Sequence, residues 1–200
     1  MRWAWFGAVT IAAVAVGAMT FANRPPDIHF SDSVPADVRD LSTATWDEFT
    51  DFFADRSDCY PDVTVDVAWH DYPERAEYFA ASDTLIVRIP ATAPRLRTSL
   101  LHEFAHHLES NCAELSTLTT DLRVAQGLAP DADWYDAEQW AYTPSEHFAE
   151  TVAETIAGFR TNNTTLIVVS PEARSIVAAW AGSSDWEPRD GWQLPEVAEP

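Results

Sequence analysis

The chain has 200 residues, an apolar share of 46% and a formal net charge of −20, with 32 acidic side chains against 12 basic ones, all of them arginine. That length suits one compact domain and excludes two large ones. With no basic stripe to neutralise phosphates, nucleic acid is excluded as a partner, and the acidic surface serves solubility first, a preference for basic substrates being its sharper reading.

Arg2 precedes an uncharged apolar run from Trp3 to Ala22, which ends at Asn23-Arg24-Pro25-Pro26. Roughly 20 apolar residues span a bilayer as a helix. A secretory signal shares the charge-then-apolar order and adds a small-residue cleavage site, which Val16-Gly17-Ala18 and Thr20-Phe21-Ala22 match imperfectly. Residues 1–22 are therefore expected to be a signal anchor or a cleaved signal peptide, with residues 3–22 in the membrane when uncleaved. Either way the domain is exported. Cys59 and Cys112, the two cysteines of the chain, then read as one disulfide formed in an oxidising compartment.

Residues 23–35 carry three prolines and read as a linker. From Ala36 to Ala54 the apolar positions Val38, Leu41, Trp46, Phe49, Phe52 and Phe53 recur near helical spacing, predicting one or two helices interrupted around Ser42-Thr43. Val63 to Trp69 alternates and is β-branched, so a strand is expected. Glu77 to Ala80, the turn Ala81-Ser82-Asp83 and Thr84 to Ile89 make a hairpin, and Pro90 and Pro94 stop it. After Pro94 a helix is expected to about Ser110, apolar on several faces and so buried. A second runs from about Ala113 to Gln126 and closes at Gly127, and residues 128–143 form an acidic, aromatic loop with Asp131, Asp133, Asp136 and Glu138. Pro144 opens another helix to about Gly158, Leu166 to Val169 is short and apolar, and Pro171 to Trp180 is the last helix. The sum is a mostly helical α+β fold with a small sheet, occupying 36–181, and a Pro- and Trp-containing acidic tail, 182–200, that is a surface strap or disordered. A monomer is expected.

The chemistry concentrates in His102-Glu103-Phe104-Ala105-His106. Two histidines four apart on a helix point the same way, one above the other. Their ring nitrogens can each bind Zn²⁺ at ~2.0–2.1 Å. Glu103, rotated about 100° from His102 around the helix, is poorly placed as a ligand. It can instead serve a water at an open metal position as general base. Burying two histidines and a glutamate without a metal would require partners for all three.

A third ligand is needed. One zinc-protease pattern asks for a histidine six residues after the second motif histidine and a glycine three after it, but Cys112 and Glu109 stand there. Glu114 and Asp121 lack supporting context. Ser145-Glu146-His147-Phe148-Ala149-Glu150 offers more, because Glu146 and Glu150 share one face of the next strong helix.

With these two motifs in view the chain resembles the gluzincins, zinc peptidases with a glutamate as third ligand. It is similar in particular to the anthrax lethal factor-like group that includes the Pro-Pro endopeptidases. The glutamate helix of that group carries a Glu-x-Phe-Ala-Glu pattern, matched by Glu146, Phe148, Ala149 and Glu150 over a similarity that spans about residues 84–159. The resemblance implies a zincin-like fold, one Zn²⁺ held by His102, His106 and Glu146, and Glu150 holding a ligand histidine by its second nitrogen. It also implies peptide or protein substrates, and an edge strand, here Thr84 to Ile89, that pairs with extended peptide. Two positions depart from the pattern: Ala105 replaces a glycine, and Gln139 stands where the group has a tyrosine two turns before the ligand glutamate. Tyr142, with Tyr135 as the other candidate, is the substitute for transition-state hydrogen bonding. His107 and His147 point off the metal face and read as packing or surface residues, and His29 and His70 stand alone. A different class of reading is a catalytically weak, zincin-shaped binding protein at the cell surface, and Glu103 argues against it. A third is metal-assisted hydrolysis of something other than a peptide.

Overall fold

The computed structural model describes residues 26–135, 139–159 and 167–187. The expected anchor or signal at 1–22 lies outside them, as do Asp136, Glu138, Leu166 and the end of the tail from 188. Among the described residues no helix is long and apolar enough to cross a membrane.

The fold is α+β, with five helices and a four-stranded sheet among the described residues. The chain forms β1 (Ile28–Phe30), α1 (Ala36–Phe52), β2 (Val63–Ala68), β3 (Ala76–Phe79), β4 (Thr84–Arg88), α2 (Ala93–Asn111), α3 (Thr119–Ala125), α4 (Pro144–Ala157) and α5 (Pro171–Ala181). Short 3-10 turns sit at 54–56, 113–117 and 140–142. The sheet order is β1-β2-β4-β3. β1 and β4 run parallel to β2, and β3 closes an antiparallel hairpin onto β4.

Two expectations change, and one open alternative is decided. The segment read as a linker supplies β1, which pairs Ile28, His29 and Phe30 with Val63, Thr64 and Val65. Just before it, the Pro26 carbonyl accepts the Trp46 indole at 2.9 Å. Of the one or two helices expected over 36–54 the chain forms one; Ser42 and Thr45 are buried in it, and the Thr45 hydroxyl is satisfied by the Leu41 carbonyl at 2.7 Å. Finally, Thr84–Arg88 is not the edge of the sheet. β4 lies between β2 and β3 because Leu85 and Val87 are fully buried and its ladder is used on both sides. The edge on this side of the sheet is β3, whose alternation leaves Glu77 and Phe79 exposed, as suits a border strand.

The core is continuous and built on α2. Leu100, Leu101, Phe104, Ala105 and Leu108 are all fully buried, since α2 packs on α1, on α4 and on the hairpin strands β3 and β4 at once. On the α1 side Trp46 meets Phe104 edge-on at 4.8 Å and stacks on Phe49 at 5.5 Å. Arg97 crosses the same interface in a buried two-point contact with Glu48, at 2.5 and 3.1 Å. The C-terminal end of α2 is tied down by the Cys59–Cys112 disulfide, with the Cα atoms 4.7 Å apart. Gly158 and Gly182, both with φ near +70 to +80°, end α4 and α5 in the left-handed conformation that glycine tolerates. The start of the tail is a strap: the Ser183 hydroxyl donates to the Phe52 carbonyl at 2.6 Å, and Trp186 packs edge-on against Phe52 at 5.1 Å.

Candidate metal centre

α2 and α4 carry the two motifs, and their packing brings the motifs together. Pro144 starts α4 at its first position, and the buried face of Phe148, Ala149 and Val152 sets the helix against the core. That register puts Glu146, in the first turn, and Glu150, one turn later, over His102 and His106. The Nε2 atoms of the two histidines are 3.2 Å apart. Glu146 Oε2 is 3.1 Å from His102 Nε2, and Glu146 Oε1 is 3.6 Å from His106 Nε2. All three residues offer ligand atoms within 4.8 Å of one another.

These distances suit a metal. A tetrahedral centre with arms of ~2.0–2.1 Å has edges of roughly 3.3 Å between ligand atoms. The tautomers support the fit. His106 Nδ1 donates to Glu109 Oε2 at 2.8 Å, and His102 Nδ1 faces Glu150 Oε1 at 3.6 Å. The Glu109 bond puts the His106 proton on Nδ1, so its Nε2 turns a lone pair toward His102 Nε2 and the Glu146 carboxylate, and Glu150 on the far side of His102 favours the same arrangement there. Converging acceptors of this kind are stable only around a cation, which is either a metal ion or a proton. The three side chains are 14–19% exposed, so solvent reaches the site.

At this cluster protons would compete with a metal ion. Burial alone would lower both imidazoles, yet the Glu146 hydrogen bond and the Glu103 charge raise His102, and Glu109, Glu146 and Glu103 hold His106 well above its ordinary value. Burial would raise Glu146, but hydrogen bonds and charge from the two histidines outweigh it and keep that carboxyl below the usual range. Glu103 differs from Glu146. Burial raises its carboxyl, with His102 and His106 opposing and Glu146 and Glu77 adding to the rise.

Glu150 is near enough to attract His102 but stands outside direct hydrogen-bond range. The closer support is Glu109, which sequence reasoning did not single out. Its other oxygen accepts the Trp134 indole, so a residue of the loop before α4 helps to hold His106. Arg123 lies over the Trp134 ring at 5.1 Å, and the Trp134 carbonyl accepts the Ser145 amide at 3.0 Å. Trp140, from the same loop, stacks on His102 with ring centres 6.5 Å apart. The signal for Glu109 was its spacing of three from His106.

Among the described residues Glu114 pairs with Arg56 at 2.7 Å, Asp121 is exposed on α3, and neither joins the cluster. Tyr142 and Tyr135 are exposed on the loop that leads into α4, and no hydrogen bond ties either phenol to His102, His106 or Glu146. Tyr135 lies close enough to Glu109 for that carboxylate to add to the upward push of burial on its phenol. His107 is fully buried, bonded to the Pro61 carbonyl at 2.9 Å and the Tyr78 hydroxyl at 3.1 Å, and His147 is held by the Ala141 carbonyl at 2.8 Å. Both are packing residues, as expected from their positions. His29 contacts Asp62 at 3.3 Å on the surface.

Comparison with family models, with curated proteins and with solved structures finds no match to this chain. The chemistry of the centre is therefore read from its own side chains.

Proposed function

We propose that this protein is a zinc-dependent peptidase with a zincin-like domain, acting outside the cytoplasm. The observation that carries the reading is the convergence of His102, His106 and Glu146, with Glu103 beside them on the same helix. Two imidazoles and one carboxylate are a donor set that catalytic zinc sites use, leaving a position for water. Zinc bound there lowers the pKa of that water and polarises the carbonyl to be attacked.

Glu103 supplies the proton traffic. Its carboxyl is 6% exposed and raised by burial, so it sits closer to the working range of a general base than an ordinary glutamate. It takes a proton from the attacking water and delivers it to the departing amine. Glu109 and Glu150 hold His106 and His102 in the orientation that turns Nε2 inward. Tyr142 and Tyr135 are the phenols of the neighbouring loop available to hydrogen-bond the developing oxyanion. Extended peptide pairs with the backbone edge of β3, which has β4 on one side and no strand on the other among the described residues. The disulfide agrees with an oxidising location.

The test is digestion of a mixed peptide library by zinc-loaded protein, read by mass spectrometry, beside the Glu103→Gln variant. Cleavage should fall at least about a hundredfold in that variant while its zinc content stays unchanged. Equal turnover by the two proteins would remove Glu103 from the mechanism. Zinc held by both with no cleavage by either would leave a metal-binding protein that is not a peptidase.

A further inference from the structure

At the end of the sheet where β3 begins and β4 ends, a cavity of about 440 Å³ opens beside the start of α2. Arg75, Arg88 and Arg95 line it, together with Thr92 and Ser99. In a chain with 32 acidic residues and 12 basic ones, three arginines on one cavity are a local concentration of positive charge. Arg56, Arg97 and Arg174 each pair with a glutamate, whereas Arg39 and Arg123 donate to backbone carbonyls. Among the described residues, Arg75, Arg88 and Arg95 pair with no carboxylate. Arg88 donates only through Nη1, to the carbonyls of Tyr72 at 2.8 Å and Pro73 at 3.3 Å, which leaves the rest of its five N–H donors uncommitted.

The placement of Arg95 sharpens the point. It is the third residue of α2, where the positive end of the helix disfavours a cation, and no acidic residue stands in that first turn. Three guanidinium groups and a helix start all present positive charge to one concavity, and an anion would relieve that crowding.

We infer that this cavity is a subsite for a carboxylate on the peptide substrate, supplied by an aspartate or glutamate side chain or by the peptide's own C-terminus. The inference rests on the peptidase reading. Ser99 is three residues before His102 and four before Glu103, so the cavity lies one turn back along the helix face that carries the metal centre. Arg95, eight residues before Glu103, is roughly 12 Å away along the axis at 1.5 Å per residue. An extended peptide advances about 3.3 Å per residue, so the carboxylate falls about three or four residues from the bond that is cut. Where the overall acidity serves solubility first and a preference for basic substrates second, this local arrangement selects an acidic one.

The test uses full-length, zinc-loaded protein with Glu103→Gln, so that peptides bind without being cut. The probes are mixed ten-residue peptides with one position fixed as Glu, Gln or Lys, each made with a free or an amidated C-terminus. At one position Glu should bind at least about tenfold tighter than Gln. Arg75→Gln and Arg95→Gln, each a change of an exposed side chain, should separately reduce that ratio to within about twofold, and Arg75→Glu with Arg95→Glu should reverse it in favour of Lys. A preference that follows the free C-terminus rather than the fixed side chain identifies the chain end as the source of the carboxylate, and supports the subsite equally. Peptides that bind with no preference for Glu over Gln or for a free over an amidated terminus, or with a preference that survives both single substitutions, overturn the subsite and leave the peptidase reading standing. Failure of every peptide to bind overturns both.

Discussion

Glu146, Glu150 and Glu109 surround the same pair of histidines, but their distances give them different work. Glu146 meets both Nε2 atoms, while Glu150 and Glu109 meet the Nδ1 sides at 3.6 and 2.8 Å. Glu146→Ala should therefore abolish tight zinc binding. Glu109→Ala and Glu150→Ala should keep the metal with affinity or activity lowered about 10–100-fold, and Glu109 should matter more because only it makes a direct hydrogen bond. Zinc titration of the three variants checks this order. Metal lost from Glu150→Ala and kept by Glu146→Ala would exchange their roles. Protons give a second reading of the same residues. His102 and His106 are both raised by the carboxylates around them, and zinc needs both neutral. Zinc affinity should thus climb with pH, by up to about 100-fold per unit while two protons are displaced, and level off above the pKa values of the cluster. A pH-independent affinity would show that these imidazoles are not ligands. The local part of this site was legible in the sequence, since a spacing of four fixes which side chains share a helix face. Glu109 was not, because its role depends on the ring orientation of His106 and on an indole 25 residues away.

Helix α2 has to hold its register against α1 while carrying polar groups on the metal face. The Arg97–Glu48 contact does part of this, with both side chains under 5% exposed. Removing one partner strands a buried charge: Glu48→Ala should cost about 3–5 kcal/mol, whereas Arg97→Met with Glu48→Leu should come within about 2 kcal/mol of the parent or above it. Urea unfolding of the two variants makes the comparison. Equal losses would mean that the pair contributes through packing rather than charge. The major helices were readable because their apolar periodicity extends over many turns; α2 and α4 were expected close to where they lie. Two elements were not. β1 has three residues, too few to show a period of two, and it follows prolines that read as a linker. The edge position of β3 depends on β4 pairing in parallel with β2, a contact between chain segments that no local pattern encodes.

At the scale of the molecule the Cys59–Cys112 bridge closes a loop spanning 53 positions, from the turn before β2 to the end of α2. In the chain-entropy model that closure stabilises by about 4 kcal/mol, so the double Ser variant should unfold at a clearly lower urea concentration than the oxidised protein. An unchanged midpoint would mean that the reduced chain keeps the loop closed by packing alone. The pairing was legible because two cysteines allow one bridge. The arginine cavity was not, because Arg75, Arg88 and Arg95 come from three segments that meet only at the sheet's end. What unites the helices, the bridge and the loop before α4 is the support they give to one centre. The direct measurement of that centre is X-ray absorption at the zinc edge on full-length protein loaded with one equivalent of zinc. Four nitrogen or oxygen neighbours at about 2.0–2.1 Å, two of them imidazoles that disappear one at a time in His102→Ala and His106→Ala, are the predicted result. A sulfur neighbour near 2.3 Å, or an imidazole count unchanged by either substitution, would contradict it.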